Sequence, residues 1–307
     1  MLEEVKMRVK RWQWICLGVA ALLLVAKFVL LDTAVAASAK FVIDPEALHR
    51  AAIASGAPLP ERLEVEKVGE FATPERLMIA GKGWGMRSMV LLSHRVLWPN
   101  RSLVIDTAMS VAEAKALPAG KADPAAVSRV QRALTQADTI LFTHEHADHV
   151  GGVATAANFA AIADKVRITR EQLNGPLLER GEFAAGTLES LKPLDYSGLY
   201  TVAPGVVLQK APGHSVGTQL VYVELQNGTR FLFVGDIAWV NDNITLQTGR
   251  PRLTALLMKE DRAAVAAQVQ ALALLPKDIH LIVAHDPVEL AADVKAGLFK
   301  QGFSSEP

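Results

Sequence analysis

Three histidines and one aspartate fall within six residues in Thr143-His144-Glu145-His146-Ala147-Asp148-His149, just ahead of Gly151-Gly152. The apolar run Thr139-Ile140-Leu141-Phe142 precedes them and predicts a short buried strand. The glycine pair lets the chain turn into a helix, so the cluster sits on a strand-to-helix loop. His144 and His146 are two apart and can project from an extended segment toward one point. Asp148 and His149 follow as the chain turns and can aim at a second point nearby. Imidazole and carboxylate suit zinc, and iron and manganese also fit such donors. One cluster holds too few donors for two metals, so further ligands are expected downstream. Three candidates lie at the exits of apolar strands, where α/β folds place their sites. His214 follows Val206-Val207-Leu208, Asp236 ends Phe231-Leu232-Phe233-Val234-Gly235, and His285 ends Leu281-Ile282-Val283-Ala284.

On these residues the sequence resembles the metallo-β-lactamase-fold hydrolases over roughly Leu63 to Leu298. The resemblance implies a mixed α+β or α/β chain folded as a four-layer αβ/βα sandwich with a two-metal site at one edge. It implies that His144, His146 and His214 hold one metal, that Asp148, His149 and His285 hold the other, and that Asp236 bridges them. Asp148 and Asp236 would also serve catalysis by orienting the water and shuttling its proton. Asp106, closing the strand Ser102-Leu103-Val104-Ile105, matches an Asp that orients the ligand loop. Two departures stand out: Thr107-Ala108 follow Asp106 where the family often has Gly, and Ala284 stands where Gly is common before His285. The expected cofactors are two zinc ions, with iron or manganese as alternatives. The expected function is hydrolysis of an ester, lactone or thioester in a small-molecule substrate by a metal-activated hydroxide. β-Lactam or phosphodiester hydrolysis, an iron-dependent sulfur oxidoreductase and a non-catalytic binding domain are the alternatives.

Composition narrows these choices. Lys plus Arg equals Asp plus Glu at 32 each, which argues against a nucleic-acid partner. The single cysteine, Cys16, excludes an internal disulfide and any thiolate ligand in the domain. Asp236 takes the strand end where one major group of true β-lactamases has cysteine, which by resemblance points to the glyoxalase II-like, lactonase-like and phosphodiesterase-like hydrolases.

Residues 1–39 hold Lys6, Arg8, Lys10 and Arg11, then Trp12 and Trp14, then an apolar run from Ile15 to Leu31 broken only by Lys27. Ala34-Val35-Ala36 and Ala37-Ser38-Ala39 fit a signal-peptidase pattern. The segment is expected to be a cleaved signal peptide or a single-pass membrane anchor, with a helix buried in the domain as the bland alternative. Either leading case puts the domain on the extracytoplasmic, periplasmic side. Residues 40–62 read as a linker helix and loop, with Asp44-Pro45 as its start, and 63–307 as the catalytic domain.

Along that domain, Leu63–Phe71 reads as a half-buried strand and Arg76–Ala80 as a second. Gly81–Gly85 is a loop, with Trp84 either over substrate or at an exposed tip. Strands follow over Met86–Leu92, Val166–Thr169, Val206–Gln209, Gln219–Leu225, Arg230–Val234 and Ile279–Ala284, with Asn227-Gly228 a hairpin turn. Helices are expected from Asp123 to Thr135 and over Val153–Ala163, Arg170–Glu179, Lys259–Leu275 and Pro287–Leu298. Residues 238–258, with Trp239, are expected to be irregular. Loops 81–88, 180–200 and 238–258 are expected to choose the substrate. Tyr196 and Tyr200 are candidate oxyanion donors or surface packing. His49, His94 and His280 read as structural, Glu145 as solvated or supporting, and Gly235 as room for the backbone beside the metals.

Overall fold

The computed structural model describes residues 11–32, 35–37, 40–178 and 182–304. Seven strands form a first sheet: β1 (Arg62–Pro74), β2 (Met86–Trp98), β3 (Arg101–Thr107), β4 (Lys121–Ala122), β5 (Thr139–Leu141), β6 (Val166–Arg167) and β12 (Lys300–Gln301). Its order is β12-β1-β2-β3-β5-β6, with β4 paired to β1. The second sheet is built from β7 (Leu199–Ala203), β8 (Val206–Lys210), β9 (Gln219–Glu224), β10 (Arg230–Gly235) and β11 (Ile279–Val283), in the order β11-β10-β9-β8-β7. The sheets face each other across a core that includes Val90, Val96, Ile105, Leu208, Val221 and Phe231. Val130, Leu134, Val150 and Val153 cover the outer face of the first sheet. Leu48, Val265, Val269 and Leu272 cover that of the second. The four layers are therefore helix, sheet, sheet, helix, as the resemblance implied.

Three Asp-Pro pairs start helices. Asp44, Asp123 and Asp286 each accept a backbone N–H of the first turn, at 3.0, 2.8 and 2.9 Å, ahead of Pro45–Ile53, Pro124–Gln136 and Pro287–Lys295. Each cap is worth about 1 kcal/mol. The hairpin at Asn227-Gly228 also forms, with Gly228 at φ 83°.

Several expectations change. Glu64 and Glu66, on the face of β1 expected to be wet, are buried. Arg95 pairs with Glu64 at 2.5 Å and Arg129 with Glu66 at 2.8 Å, so both carboxylates enter the interior already partnered. Arg76–Ala80 is no strand; Glu75–Met78 makes a helical turn. The helix after the histidine cluster is Ala147–Ala154, and Val153–Ala163 continues only as short 3₁₀ turns. The helix predicted over Arg170–Glu179 is a single turn, Arg170–Leu173. Strands β7 and β12 and the helices Asn241–Thr245 and Arg252–Met258 were not foreseen.

Trp12–Leu31 forms a continuous helical stretch of 20 residues with mean hydropathy 2.5; none of it is buried, and its last turn touches the surface of the domain. The bland alternative of a core helix is thereby overturned. Among the described residues this is the one helix long and apolar enough to cross a membrane. Lys6, Arg8, Lys10, Ala34, Ser38 and Ala39 lie outside the described residues.

Candidate metal centre

All the predicted ligands gather at one edge of the sandwich, on loops or, for Asp148 and His149, in the first turn of the helix Ala147–Ala154. His144, His146, Asp148 and His149 follow β5, Asp236 follows β10, and His285 follows β11. His214 lies between β8 and β9. They gather as two sets whose donor atoms lie within 4.8 Å of one another: His144, His146, His214 and Asp236, and Asp148, His149, Asp236 and His285. Asp236 belongs to both, and its two oxygens are divided between them. Oδ2 lies 3.3 Å from His214 Nε2 and 3.8 Å from His144 Nε2. Oδ1 lies 3.2 Å from both His149 Nε2 and His285 Nε2. Asp148 Oδ2 closes the second set at 3.8 Å from His149 and 3.4 Å from His285.

These spacings can be tested against a cation. Donors about 2.1 Å from a tetrahedral zinc stand about 3.4 Å from one another. The observed separations bracket that value. His144 Nε2, His149 Nε2 and Asp236 Oδ1 are buried with no hydrogen-bond partner, a state that costs about 1–3 kcal/mol per group unless something else satisfies it. His214 Nε2 and His146 Nδ1 face each other at 3.0 Å. Buried donors without partners, spaced as coordination requires, fit two cations.

The opposite ring nitrogens fix the rings. His149 Nδ1 donates to Asp106 Oδ2 at 2.8 Å, and His285 Nδ1 to the Val90 carbonyl at 2.8 Å. His214 Nδ1 donates to Glu260 Oε2 at 3.0 Å. In each case the ring is held with Nε2 aimed inward, where it can offer its lone pair to a cation. Asp106 also accepts from Thr143 N at 2.7 Å and Thr143 Oγ1 at 2.8 Å, so it holds the ligand loop as well as one ring.

Electrostatics divides the histidines. Burial first, then the neighbouring His149, pushes His144 well below the ordinary imidazole range. Burial and His214 do the same to His146. For His149, burial pulls down, but Asp106, Asp148 and Asp236 outweigh it and hold the ring well above that range. Asp236 is held well below the usual carboxylate range: burial opposes, but His285, His144 and His149 prevail.

Backbone geometry explains one departure from the family pattern. Asp106 and Ala108 adopt φ of 54° and 52°, the left-handed region that costs a residue with a Cβ about 1–2 kcal/mol. Glycine would sit there without that strain. At Gly235, with φ 51°, a Cβ would lie 2.8 Å from the Thr143 side chain, so the glycine makes room for the start of the ligand loop.

Glu145 is buried, not solvated. Ser215 Oγ donates to it at 2.7 Å, and Gly175 and Gly217 leave the space its carboxylate fills. Gln172 spans the two halves, donating to the Phe142 and Gly217 carbonyls at 3.1 Å each. Tyr196 donates to Gln219 Oε1 at 2.7 Å and packs on Tyr200 with ring centroids 5.4 Å apart. Both tyrosines pack against the inter-sheet core and neither lines the cavity. His49 pairs with Glu224 at 2.8 Å and His94 lies edge-on to Phe233, both structural as expected.

A cavity of about 240 Å³ opens over His146, Asp148, Asp236 and His285. Phe71, Met89, Met109, Leu117, Leu177, Trp239 and Met258 give it mostly apolar walls. Of the three loops expected to choose the substrate, 238–258 is the one whose described residues line it; Trp84 is 59% exposed. Three supporting residues escaped the sequence. Trp239 Nε1 donates to Asp236 Oδ2 at 2.6 Å. Glu260 and Arg250 form a buried ion pair behind His214, with Arg250 Nε donating to Glu260 at 2.6 Å. Trp239 had a signal in its place three residues past Asp236; the other two had none.

Fold and site together define a two-sheet sandwich with a histidine and aspartate centre at its edge. The family model described as the metallo-beta-lactamase superfamily matches residues 96–285, more than half of the chain. The chain belongs to that superfamily. It is 29% identical over 173 residues to a hydroxyacylglutathione hydrolase of Cupriavidus taiwanensis, covering 53% of this chain and 57% of the relative. It is 28% identical over 137 residues to an N-acyl homoserine lactonase of Bacillus thuringiensis, covering 43% and 52%. The chain thus spans little more than half the length of these curated relatives. A solved quorum-quenching N-acyl homoserine lactone lactonase superposes with TM-score 0.61 at 16% identity, over 76% of this chain and 95% of the other. The dizinc quorum-quenching lactonase AidC, solved with a product, gives TM-score 0.55 at 16% identity, over 74% and 89%. These likenesses show the shared fold.

Proposed function

We propose that this chain is a binuclear metal-dependent hydrolase of an ester, lactone or thioester. His144, His146 and His214 would hold one cation, Asp148, His149 and His285 the other, and Asp236 would bridge. The observation that carries this reading is the pair of donor sets sharing the two oxygens of Asp236. Two zinc ions there would lower the pKa of a bound water from 15.7 toward about 7 and polarise a substrate carbonyl. The chain does the rest. Asp148, 23% exposed and on the cavity wall, is placed to orient the attacking water and take its proton. Asp236 is fixed by the Trp239 indole and stays ionised among the histidines. The apolar walls exclude bulk water and receive the acyl part of the substrate. The names of the hydrolase and lactonase relatives support an acyl substrate. The 20-residue helical stretch supports a membrane anchor with the domain on the extracytoplasmic side.

The test is elemental analysis of the full chain, purified in detergent without added metal, followed by lactone and thioester assays. About two zinc per chain with hydrolysis is expected, and His146→Ala or Asp148→Ala should abolish turnover in a folded protein. No metal uptake on titration, or full activity in either variant, would overturn the reading.

A further inference from the structure

The cavity wall continues into a surface that the hydrolytic centre does not use. Leu256 and Leu257, on the helix Arg252–Met258, are 62% and 65% exposed. Met258, the last residue of that helix, lines the cavity. Other large apolar side chains are bare on adjoining segments: Trp84 and Met86 at 59% each and Leu246 at 50%. These segments are tied together. Thr254 Oγ1 donates to the Leu77 carbonyl at 2.8 Å, Ala80 N to the Gly249 carbonyl at 3.1 Å, and Glu75 N to the Gly85 carbonyl at 2.8 Å. One exposed leucine needs no explanation, but a cluster of large apolar residues beside a cavity does.

The N-terminal segment indicates what covers this surface. Phe28–Asp32, the end of the apolar helical stretch, packs against the helix Arg252–Met258. Val35 borders the same surface hollow as Arg252, Ala255 and Leu256. The chain therefore leaves its 20-residue apolar stretch on the same face that bears the leucines. Arg252 and Lys259, both exposed, bracket them with positive charge. Leucines and a tryptophan bordered by basic residues match what an anionic bilayer interface accepts.

We propose that this face is a membrane-docking surface. It rests on the reading of Trp12–Leu31 as an anchor. The bilayer that holds the anchor also receives Leu256, Leu257 and Trp84, so the cavity beside Met258 draws long-chain acyl substrates from the lipid phase.

The experiment uses the full chain, with Cys16→Ser, in phosphatidylcholine vesicles containing a minority of phosphatidylglycerol. Single spin labels go on Leu257→Cys, on Val25→Cys in the helix, and on Leu274→Cys, which is 82% exposed beyond the far end of the helix Arg262–Ala273. Collision with oxygen against a water-soluble nickel chelate reports depth. Labels 25 and 257 should both read as lipid-facing and label 274 as aqueous. Label 25 in lipid with label 257 in water would overturn the docking surface and leave the anchor standing. Both in water would overturn the anchor, and the docking surface with it. In the same vesicles, Leu256→Glu/Leu257→Glu should lower kcat/KM for a decanoyl lactone about tenfold and leave an acetyl lactone unchanged. Equal loss on both substrates, or no loss on either, would overturn the proposal.

Discussion

The buried pair behind His214 allows a prediction whose two effects can be separated. Glu260 accepts from Arg250 Nε at 2.6 Å and from His214 Nδ1 at 3.0 Å, while the side chains of both Arg250 and His214 are fully buried. Burial alone would raise the Glu260 pKa, but Arg250 and His214 outweigh it and hold the carboxyl below its ordinary value. Glu260→Gln keeps the shape and removes the charge. Breaking a buried pair from one side costs about 3–5 kcal/mol, because the partner's charge stays uncompensated. Losing the carboxylate that orients a metal-binding imidazole costs about 10–100-fold in metal affinity. Urea unfolding of the metal-free protein should therefore show a loss of about 3–5 kcal/mol. Competition with a chromophoric chelator should show one of two zinc equivalents weakened. Glu260→Gln with Arg250→Met removes both charges, so it should recover most of the stability and none of the affinity. Two equivalents bound as tightly as in the unaltered protein would refute the view that Glu260 positions His214. Recovery of affinity along with stability would show that the pair serves packing alone.

Two further outcomes follow from other sites. Burial pushes His94 down to about 4. A folded value below the unfolded one means that stability is complete above about pH 6.5 and is lost as pH falls toward 4, by about 2 kcal/mol near pH 5. In parallel urea titrations His94→Phe should remove that much of the acid sensitivity, and an unchanged pH profile would refute the assignment. A Cβ at Gly152 would collide with the Thr107 carbonyl and lie 2.8 Å from Thr107 Cβ, so Gly152→Ala should cost about 1–3 kcal/mol or more. Because Thr107 adjoins Asp106, it should also weaken metal binding; an unaltered melting temperature would refute this.

The convergence of the candidate donors was legible because histidine and aspartate are among the few residue types that suit a cation, and here they lie at strand exits, which apolar runs announce. All seven predicted donors converge in space. Strands with continuous apolar sequence, such as β10, were equally plain. What stayed hidden depends on long-range partners. The alternation in Leu63–Phe71 suggests a wet face, and only the distant Arg95 and Arg129 make Glu64 and Glu66 interior residues. Glu260 looks like any helix-flanking acid until Arg250 and His214 are placed beside it. The alanine-rich stretch after His149 has helical composition, but Gly151 and Gly152 press against Met109 and Thr107, and the helix ends at Ala154.

The division of ligands between the two sheets has a consequence for how the protein comes apart. His144, His146, Asp148 and His149 hang from the first sheet, while His214, Asp236 and His285 hang from the second. Each proposed ion would therefore be a rivet through both covers of the sandwich, and neither half alone could hold one. Bound metal would then join two half-domains into one cooperative unit, and its binding free energy would add to the adhesion of the sheets. Chelation should cut that seam first, before either sheet loses its own strands.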